Sequence, residues 1–303
     1  MRVDVHQHIW TEPLLERLSA RTRLPLVRRD GGLTILHCDA EQPYLIDTLA
    51  ESPQRRAACV REDDLDLALI AISSPIGVEA LPRDEALELI DAQLEGVQAL
   101  PPAFAAWGPV ALDRPDPDDV DAVIARGCIG ISLPAGALAG PERLEQVGAV
   151  LERVAQRRVP AFVHPGRAPR QATAPALLGE PRWWRPLTDY VDQMQAAWLT
   201  FATIGRRDHP DLEVVFAMLA GGAPLLSERL ASRGAPAVDL HDPNTFYETS
   251  SYGPAAVEMM ARRVGETQLL YGSDRPVVEP VPTGRERLLQ ENAGLMFPAG
   301  VTA

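Results

Sequence analysis

Short apolar segments rich in β-branched residues alternate with amphipathic helical segments along the whole sequence, and this alternation limits the folds open to the chain. It is typical of βαβ units that build a parallel sheet. We predict eight strands, over residues 2–6, 67–73, 103–110, 128–133, 159–164, 212–219, 245–250 and 268–273. Helical patterns lie between them, including those over 84–100, 141–157 and 254–266. Such units over 303 residues predict a single (β/α)8 TIM-barrel domain, an α/β fold that spans residues 1–303.

Two segments depart from this repeat. Residues 20–50 contain two extended stretches around Asp30-Gly31-Gly32, which predict a small hairpin inserted after the first strand. Residues 165–187 form a long Pro/Gly-rich loop after the fifth strand, and we predict an active-site loop because loops of this length are usually functional or disordered. A doubly wound open sheet is the alternative fold, but no GxGxxG motif follows any strand.

Composition excludes several classes of function. The net charge of −13 argues against nucleic acid or an anionic membrane as a partner. All 29 basic residues are arginine, so Schiff-base chemistry, a P-loop and a carbamylated lysine between two metals are excluded. The three cysteines are scattered and indicate neither disulfides nor a zinc ribbon. No apolar run approaches the ~20 residues of a membrane span and no signal region begins the chain, so we expect a cytoplasmic protein.

Four side chains fall at predicted strand ends, where TIM barrels carry their chemistry. His6 and His8 are two positions apart and therefore share one face of the first strand. His164 ends the fifth strand, and Asp274 follows the eighth. Three imidazoles and one carboxylate can bind one divalent ion and leave a position for water. We expect zinc, while iron and manganese also accept these ligands. Taken singly, His164 could be an ordinary loop histidine and Asp274 a helix N-cap.

Three motifs resemble a known family. The opening DVHQH, the VHPG of the fifth strand and the late LLYGSDRP are similar to the amidohydrolase superfamily, in its amidohydrolase-related (amidohydrolase 2) branch. That branch contains metal-dependent TIM-barrel hydrolases, lactonases and non-oxidative decarboxylases, and DVHQHIW is especially similar to the lactonases. The resemblance implies a mononuclear metal site and a small-molecule substrate. Homo-oligomers are common in the family, although the sequence identifies no subunit interface.

One position departs from the family pattern. Relatives usually carry a histidine at the end of the sixth strand, in a pattern such as His-x-Gly-Gly. In this chain the matching stretch is VVFAMLAGG, so Met218 stands in that place, before Gly221 and Gly222. In the decarboxylases that histidine is implicated in catalysis, so its replacement weighs against decarboxylation more than against hydrolysis. It also admits a barrel that binds a ligand without turnover.

The loop after the fifth strand indicates the class of substrate. Arginine binds carboxylates or phosphates through paired hydrogen bonds, and tryptophan supplies an apolar wall. A bulky, partly apolar, anionic substrate would suit these residues. The alternative is that the arginines are solvated and the aromatic rings pack on the barrel. We also include Met218 and His37, since His37 of the inserted hairpin could replace the histidine missing from the sixth strand. The candidate substrate-binding residues are therefore Arg167, Arg170, Trp183, Trp184, Tyr190, Met218 and His37.

From these residues we predict a mononuclear metal-dependent hydrolase. It would cleave an acyl bond (lactone, ester, thioester or amide) of a small anionic molecule with metal-activated water. Asp274 would be the catalytic residue, which removes a proton from the water and then protonates the leaving group. Asp4 would orient a ligand histidine. The alternatives are a metal-dependent non-oxidative decarboxylase of an aromatic or unsaturated acid, and an inactive ligand-binding barrel.

Overall fold

Eight parallel strands form the barrel in this computed structural model, which describes residues 1–39, 41–172 and 179–297. Their order around the sheet follows the chain, and the backbone N–H of Val5 donates to the Tyr271 carbonyl at 2.9 Å, where the last strand meets the first. The (β/α)8 prediction is confirmed, with a strand inside or overlapping each predicted segment. The barrel strands are β1 (Val3–Gln7), β5 (Leu67–Ile70), β6 (Phe104–Pro109), β7 (Gly130–Pro134), β8 (Ala161–His164), β9 (Val214–Phe216), β10 (Thr245–Glu248) and β11 (Leu269–Leu270).

Helices connect successive barrel strands. Pro141 and Pro254 each occupy the first turn of a helix, where the missing N–H of proline costs no hydrogen bond. Within the described ranges, no helix has the length and apolarity needed to cross a bilayer. The helices are α1 (Glu12–Ala20), α2 (Pro53–Glu62), α3 (Arg83–Gln98), α4 (Asp118–Ala125), α5 (Pro141–Arg157), α6 (Trp184–Leu187), α7 (Asp189–Thr200), α8 (Arg206–Asp208), α9 (Ser227–Ser232), α10 (Pro254–Val264) and α11 (Glu286–Met296).

The inserted segment after the first helix is a three-stranded antiparallel sheet. It contains the predicted hairpin, β2 (Leu26–Asp30) and β3 (Leu33–His37), and adds a third strand, β4 (Tyr44–Ile46). Gly31 and Gly32 form the turn with φ values of 56° and 83°, a left-handed backbone that favours glycine. The other predicted insertion, the loop over 165–187, includes residues 173–178, which lie outside the described residues.

Aromatic side chains fill the barrel below the mouth. Trp107 and Phe162 stack with their ring centroids 5.2 Å apart, and both are fully buried. The indole N–H of Trp107 donates to the Val5 carbonyl at 2.9 Å, so its polar atom is satisfied inside the core. The Phe162 ring lies 5.1 Å from that of His6. This packed layer supports the residues at the carboxyl ends of the strands from below.

Candidate metal centre

The four predicted ligands converge at the mouth of the barrel. The metal-binding atoms of His6, His8, His164 and Asp274 lie within 4.8 Å of one another. Asp274 Oδ1 is 3.4 Å from His6 Nε2 and 3.2 Å from His8 Nε2. The three imidazoles are buried, whereas the Asp274 side chain keeps 15% of its surface exposed. His6 on β1, His8 one residue beyond its end, and the two residues at the ends of other barrel strands therefore form one compact cluster.

The outer nitrogen of each imidazole already has a partner. His8 Nδ1 lies 2.9 Å from the Ala71 carbonyl, and His164 Nδ1 lies 2.9 Å from the Pro165 carbonyl. A carbonyl only accepts hydrogen bonds, so both Nδ1 atoms carry the proton. His6 Nδ1 lies 3.0 Å from a carboxylate oxygen of Glu248. Each Nε2 is therefore left as the ligand atom, an arrangement that metal-binding histidines share.

These donors fit a divalent metal ion. His6 Nε2 and His8 Nε2 are 3.1 Å apart, and with both protons on Nδ1 the two lone pairs face each other. A cation between them, bound also by His164 and the Asp274 carboxylate, would convert this repulsion into coordination. Three nitrogens and one carboxylate suit zinc, iron or manganese, so the donor chemistry agrees with the predicted metal site.

The electrostatics of the cluster differ between its histidines. Burial disfavours the charged form of His6, but Glu248 and Asp274 outweigh burial and raise its pKa to about 9. Burial lowers the pKa of His164 well below its usual value, and the neighbouring His6 and His8 lower it further. The cluster thus favours one positive charge near His6 and neutral imidazole at His164, as expected where a cation is to be bound.

Glu248 is a member of the site that the sequence analysis missed. It is the last residue of β10, is fully buried and contacts His6. The signal was available, since a polar residue at the end of the seventh barrel strand satisfies the rule that identified His164. Its partner lies 242 residues away, however, and sequence spacing gives no indication of that pairing.

Asp4 supports the first strand through its backbone instead of through an imidazole. Its carboxylate accepts hydrogen bonds from the backbone N–H groups of His6 (3.0 Å) and Ser273 (3.1 Å) and from the Gln7 side chain (2.7 Å). Burial raises the pKa of Asp4 to about 6, although these hydrogen bonds favour the ionised form. As an orienting residue, Asp4 would therefore act on the position of β1 and on its junction with the loop after β11.

Met218 begins a left-handed turn at the edge of the cluster. Met218, Leu219 and Ala220 have φ values of 53°, 50° and 53°, and two glycines continue the turn. Residues with a Cβ seldom adopt this conformation, so the surrounding structure must hold it. The backbone N–H of Met218 donates to Glu248 at 3.1 Å. The contact that the structure shows between this residue and the cluster runs through its backbone.

Two of the predicted substrate residues join the inserted sheet to the loop and helix after β8. Arg167 pairs with Asp39 at 2.7 Å and lies against Gly77. Tyr190 lies near Glu41, and burial, Glu41 and the Asp274 charge raise the pKa of Tyr190 well above its usual value. Both stay predictions as substrate contacts.

The other predicted substrate residues lie farther toward solvent or within the inserted sheet. Arg170 has a side chain 82% exposed and pairs with Asp113 at 3.2 Å. Trp183 and Trp184 are also exposed, with ring centroids 5.8 Å apart. His37 ends β3, where its backbone pairs with Leu26 of β2. The structure does not bring these four side chains into the cluster, and a role in binding substrate stays a prediction for each.

Comparisons with known proteins concern the fold. No family model matches the chain, and no curated protein matches it. Among solved structures, a 5-carboxyvanillate decarboxylase from Novosphingobium aromaticivorans with bound manganese and 3-methoxy-4-hydroxy-5-nitrobenzoic acid has a TM-score of 0.71 at 16% identity, covering 98% of this chain and 97% of that one. A 2,6-dihydroxybenzoate decarboxylase from Rhizobium has a TM-score of 0.63 at 15% identity, covering 98% of each chain.

A third similar structure is named for hydrolysis. It is a putative amidohydrolase from Staphylococcus aureus, with a TM-score of 0.69 at 13% identity, covering 97% of this chain and 98% of that one. All three matches extend over nearly the whole barrel, and at these identities they concern the fold alone. The chain therefore has the same (β/α)8 barrel fold as these three proteins.

Proposed function

We propose that this protein is a metal-dependent non-oxidative decarboxylase of a small aromatic or unsaturated carboxylic acid. The observation that carries the proposal is the convergence of three imidazole Nε2 atoms and the Asp274 carboxylate, with each Nδ1 already bonded. The reaction class is supported by the decarboxylases among the structures of similar fold, one of which holds manganese and a nitrobenzoic acid. These relatives favour the decarboxylase alternative over the hydrolase that we predicted from the sequence.

His6, His8, His164 and Asp274 would hold the metal ion. A divalent ion bound there supplies positive charge that binds a substrate carboxylate and stabilises negative charge as the carbon–carbon bond breaks. We propose manganese or zinc, the first because a similar structure contains it and the second because imidazole is its common ligand.

Asp274 is the residue to which we assign proton transfer. It is the most exposed member of the cluster, and its carboxylate lies next to two of the imidazoles. When a carboxylate leaves as carbon dioxide, the carbon that carried it takes up one proton, and Asp274 would pass to that carbon a proton taken up from water at the mouth. Arg167 and Tyr190, at the mouth, would orient the acid.

Hydrolysis of an acyl bond is the second candidate, and Met218 is the observation that favours it. The thioether cannot exchange a proton, so the sixth strand supplies no acid or base at this position. Hydrolysis of a lactone, ester, thioester or amide requires only the metal site and one carboxylate, both of which the cluster provides.

The test compares acids with their methyl esters. Wild-type protein loaded with manganese or zinc is incubated with hydroxybenzoic and unsaturated acids labelled with ¹³C in the carboxyl group, and with the matched esters. We expect labelled bicarbonate from an acid, and loss of that signal in Asp274→Asn and after chelation. Release of methanol without bicarbonate would identify a hydrolase. Binding of an acid without either product would overturn both proposals and leave a ligand-binding barrel.

A further inference from the structure

Glu248 connects three parts of the centre through one carboxylate. Its Oε2 accepts hydrogen bonds from His6 Nδ1 at 3.0 Å, from the Met218 backbone N–H at 3.1 Å and from Ser250 Oγ at 2.9 Å. Its Oε1 accepts from the Ser250 backbone N–H. Both oxygens are therefore used, and every neighbour acts as a donor. An ionised carboxylate is the group that such a set of donors requires.

The adjoining strand end leaves room for this carboxylate. A Cβ placed on Gly272, two residues after β11, would overlap Oε1, Cδ and Cγ of Glu248. Any residue other than glycine at this position would thus displace the carboxylate from His6. The position of Glu248 is defined from two sides, by its donors and by this missing side chain.

We infer that Glu248 is a positioning residue that holds His6 with its Nε2 toward the metal and holds the Met218 turn at the edge of the same centre. The inference rests on the proposed metal site. A carboxylate that accepts from Nδ1 fixes the tautomer and the ring orientation and makes Nε2 a stronger ligand. The bond to Met218 also stabilises a left-handed backbone that Met218, Leu219 and Ala220 would not adopt unaided. Through Glu248, the position of that turn and the orientation of His6 depend on each other.

The substitution Glu248→Gln separates the carboxylate's chemistry from its volume. Glutamine has nearly the same shape but only one oxygen. If that oxygen faces His6 and Met218, the amide NH₂ meets the Ser250 backbone N–H, which is also a donor. If the amide is reversed, the NH₂ faces His6 Nδ1 and drives the proton onto Nε2, the ligand atom. Both orientations of the amide should therefore weaken metal binding. If Glu248 acted only through its packing, the substitution would leave metal binding unchanged.

The first measurement is the affinity of the full chain for Zn²⁺, determined by competition with a chromophoric chelator. We expect Glu248→Gln to bind zinc roughly 10- to 100-fold more weakly than wild type. The matched control is Ser250→Ala, which removes one donor to Glu248 and the 3.4 Å contact of Ser250 Oγ with His6 Nδ1 but keeps the hydrogen bond from His6 to Glu248, and its affinity should stay close to that of wild type. Circular dichroism and thermal unfolding of the metal-free proteins check that each variant folds.

The second measurement needs no variant. In ¹⁵N-labelled, zinc-loaded wild type, proton–nitrogen correlation spectra assign the protonated ring nitrogen of each histidine. We expect His6 to carry its proton on Nδ1 and to coordinate through Nε2. Coordination through Nδ1, or zinc binding by Glu248→Gln as tight as wild type, overturns the role of Glu248 while the metal site stands. Failure of the wild type to take up zinc, manganese or iron instead removes the metal site, and the role of Glu248 with it.

Discussion

His6 Nε2 faces His8 Nε2 across 3.1 Å, and the outer nitrogens of the two rings bond to oxygens at the ends of two different barrel strands. Glu248 of β10 holds one ring, and the Ala71 carbonyl after β5 holds the other. The two histidines cannot turn away from each other without losing these bonds. A cation or a proton between the two Nε2 atoms would relieve the repulsion of their lone pairs, and the nearby Glu248 and Asp274 carboxylates favour positive charge there, since they raise the pKa of His6 to about 9 despite burial. The pair is preorganised for a metal ion.

Metal binding should therefore stabilise the fold. At an ion concentration about 1,000 times the dissociation constant, binding to the native state adds about 4 kcal/mol to the free energy of unfolding. We expect the melting temperature of the chelator-treated protein to rise by several degrees when Mn²⁺ or Zn²⁺ is added, as differential scanning fluorimetry would record. His8→Ala should lose this rise and His241→Ala should keep it, because His241 bonds to the Val264 carbonyl outside the cluster. An equal rise in His8→Ala would show that the ion binds elsewhere.

A glycine that touches no ligand should also control metal affinity. Gly272→Ala would force the Glu248 carboxylate away from His6, since the new methyl group overlaps it. We expect metal affinity to fall roughly 10- to 100-fold, as when a metal-ligating histidine loses its hydrogen-bond partner. Isothermal titration of the metal-free protein with Zn²⁺ measures the change.

The control for this substitution is Gly148→Ala. Gly148 lies within α5, and a Cβ there meets no described atom within 4 Å. Alanine is the better helix former, so this variant should gain about 1 kcal/mol in the free energy of unfolding and keep its metal affinity. If both alanine variants bind zinc as wild type does, the carboxylate of Glu248 tolerates displacement and does not set the ligand geometry.

The sequence predicts elements well where one local rule determines them. The helix predicted over 141–157 is observed as Pro141–Arg157, since a proline at its first turn and a continuous apolar stripe define it. The strand predicted over 212–219 is shorter, Val214–Phe216, because the apolar run continues into the left-handed turn at Met218. Hydrophobicity alone does not reveal where the backbone leaves the sheet.

The same distinction applies to the site. His6 and His8 follow from strand alternation, and His164 and Asp274 from their positions at strand ends. The exposure of Trp183 and the pairing of Arg167 with Asp39 depend instead on how the inserted segment meets the loop after β8. Such contacts between distant segments are tertiary, and no spacing in the sequence encodes them.

The two arginines of the loop after β8 should differ in their effect on substrate binding. The Arg167 side chain is 19% exposed and bonds to Asp39 of the inserted segment, whereas Arg170 is 82% exposed. We expect Arg167→Ala to raise KM for an anionic substrate about tenfold or more, the effect of losing a charge-assisted hydrogen bond. Arg170→Ala should raise KM less than Arg167→Ala, because water already solvates the Arg170 side chain. Steady-state kinetics of both variants measure these KM values, and equal KM values for both variants would contradict a substrate-binding role for Arg167.

Glu79 should make stability depend on pH. It is fully buried, its Oε1 accepts from Ser74, and its Oε2 has no hydrogen-bond partner among the described residues. Burial raises its pKa from 4.5 to about 7. The native state therefore holds a proton that the unfolded chain releases, so this group costs stability as pH rises from about 4.5 to 7. At about 1.4 kcal/mol per pKa unit, the cost reaches up to about 3 kcal/mol above pH 7.

Glu79→Gln removes that cost, because glutamine keeps an oxygen for Ser74 and has no proton to release. We expect the variant to match wild type near pH 4.5 and to exceed it in the free energy of unfolding above pH 7, by up to about 3 kcal/mol. Urea denaturation of both proteins, with chelator present and at several pH values, measures the difference in their free energies of unfolding. The histidine cluster titrates in both proteins alike, so its contribution cancels from this difference. The exposed Glu95, changed to glutamine, is the control and should show no such trend. A constant difference across this pH range would mean that Glu79 stays ionised in the native protein, with water reaching its Oε2.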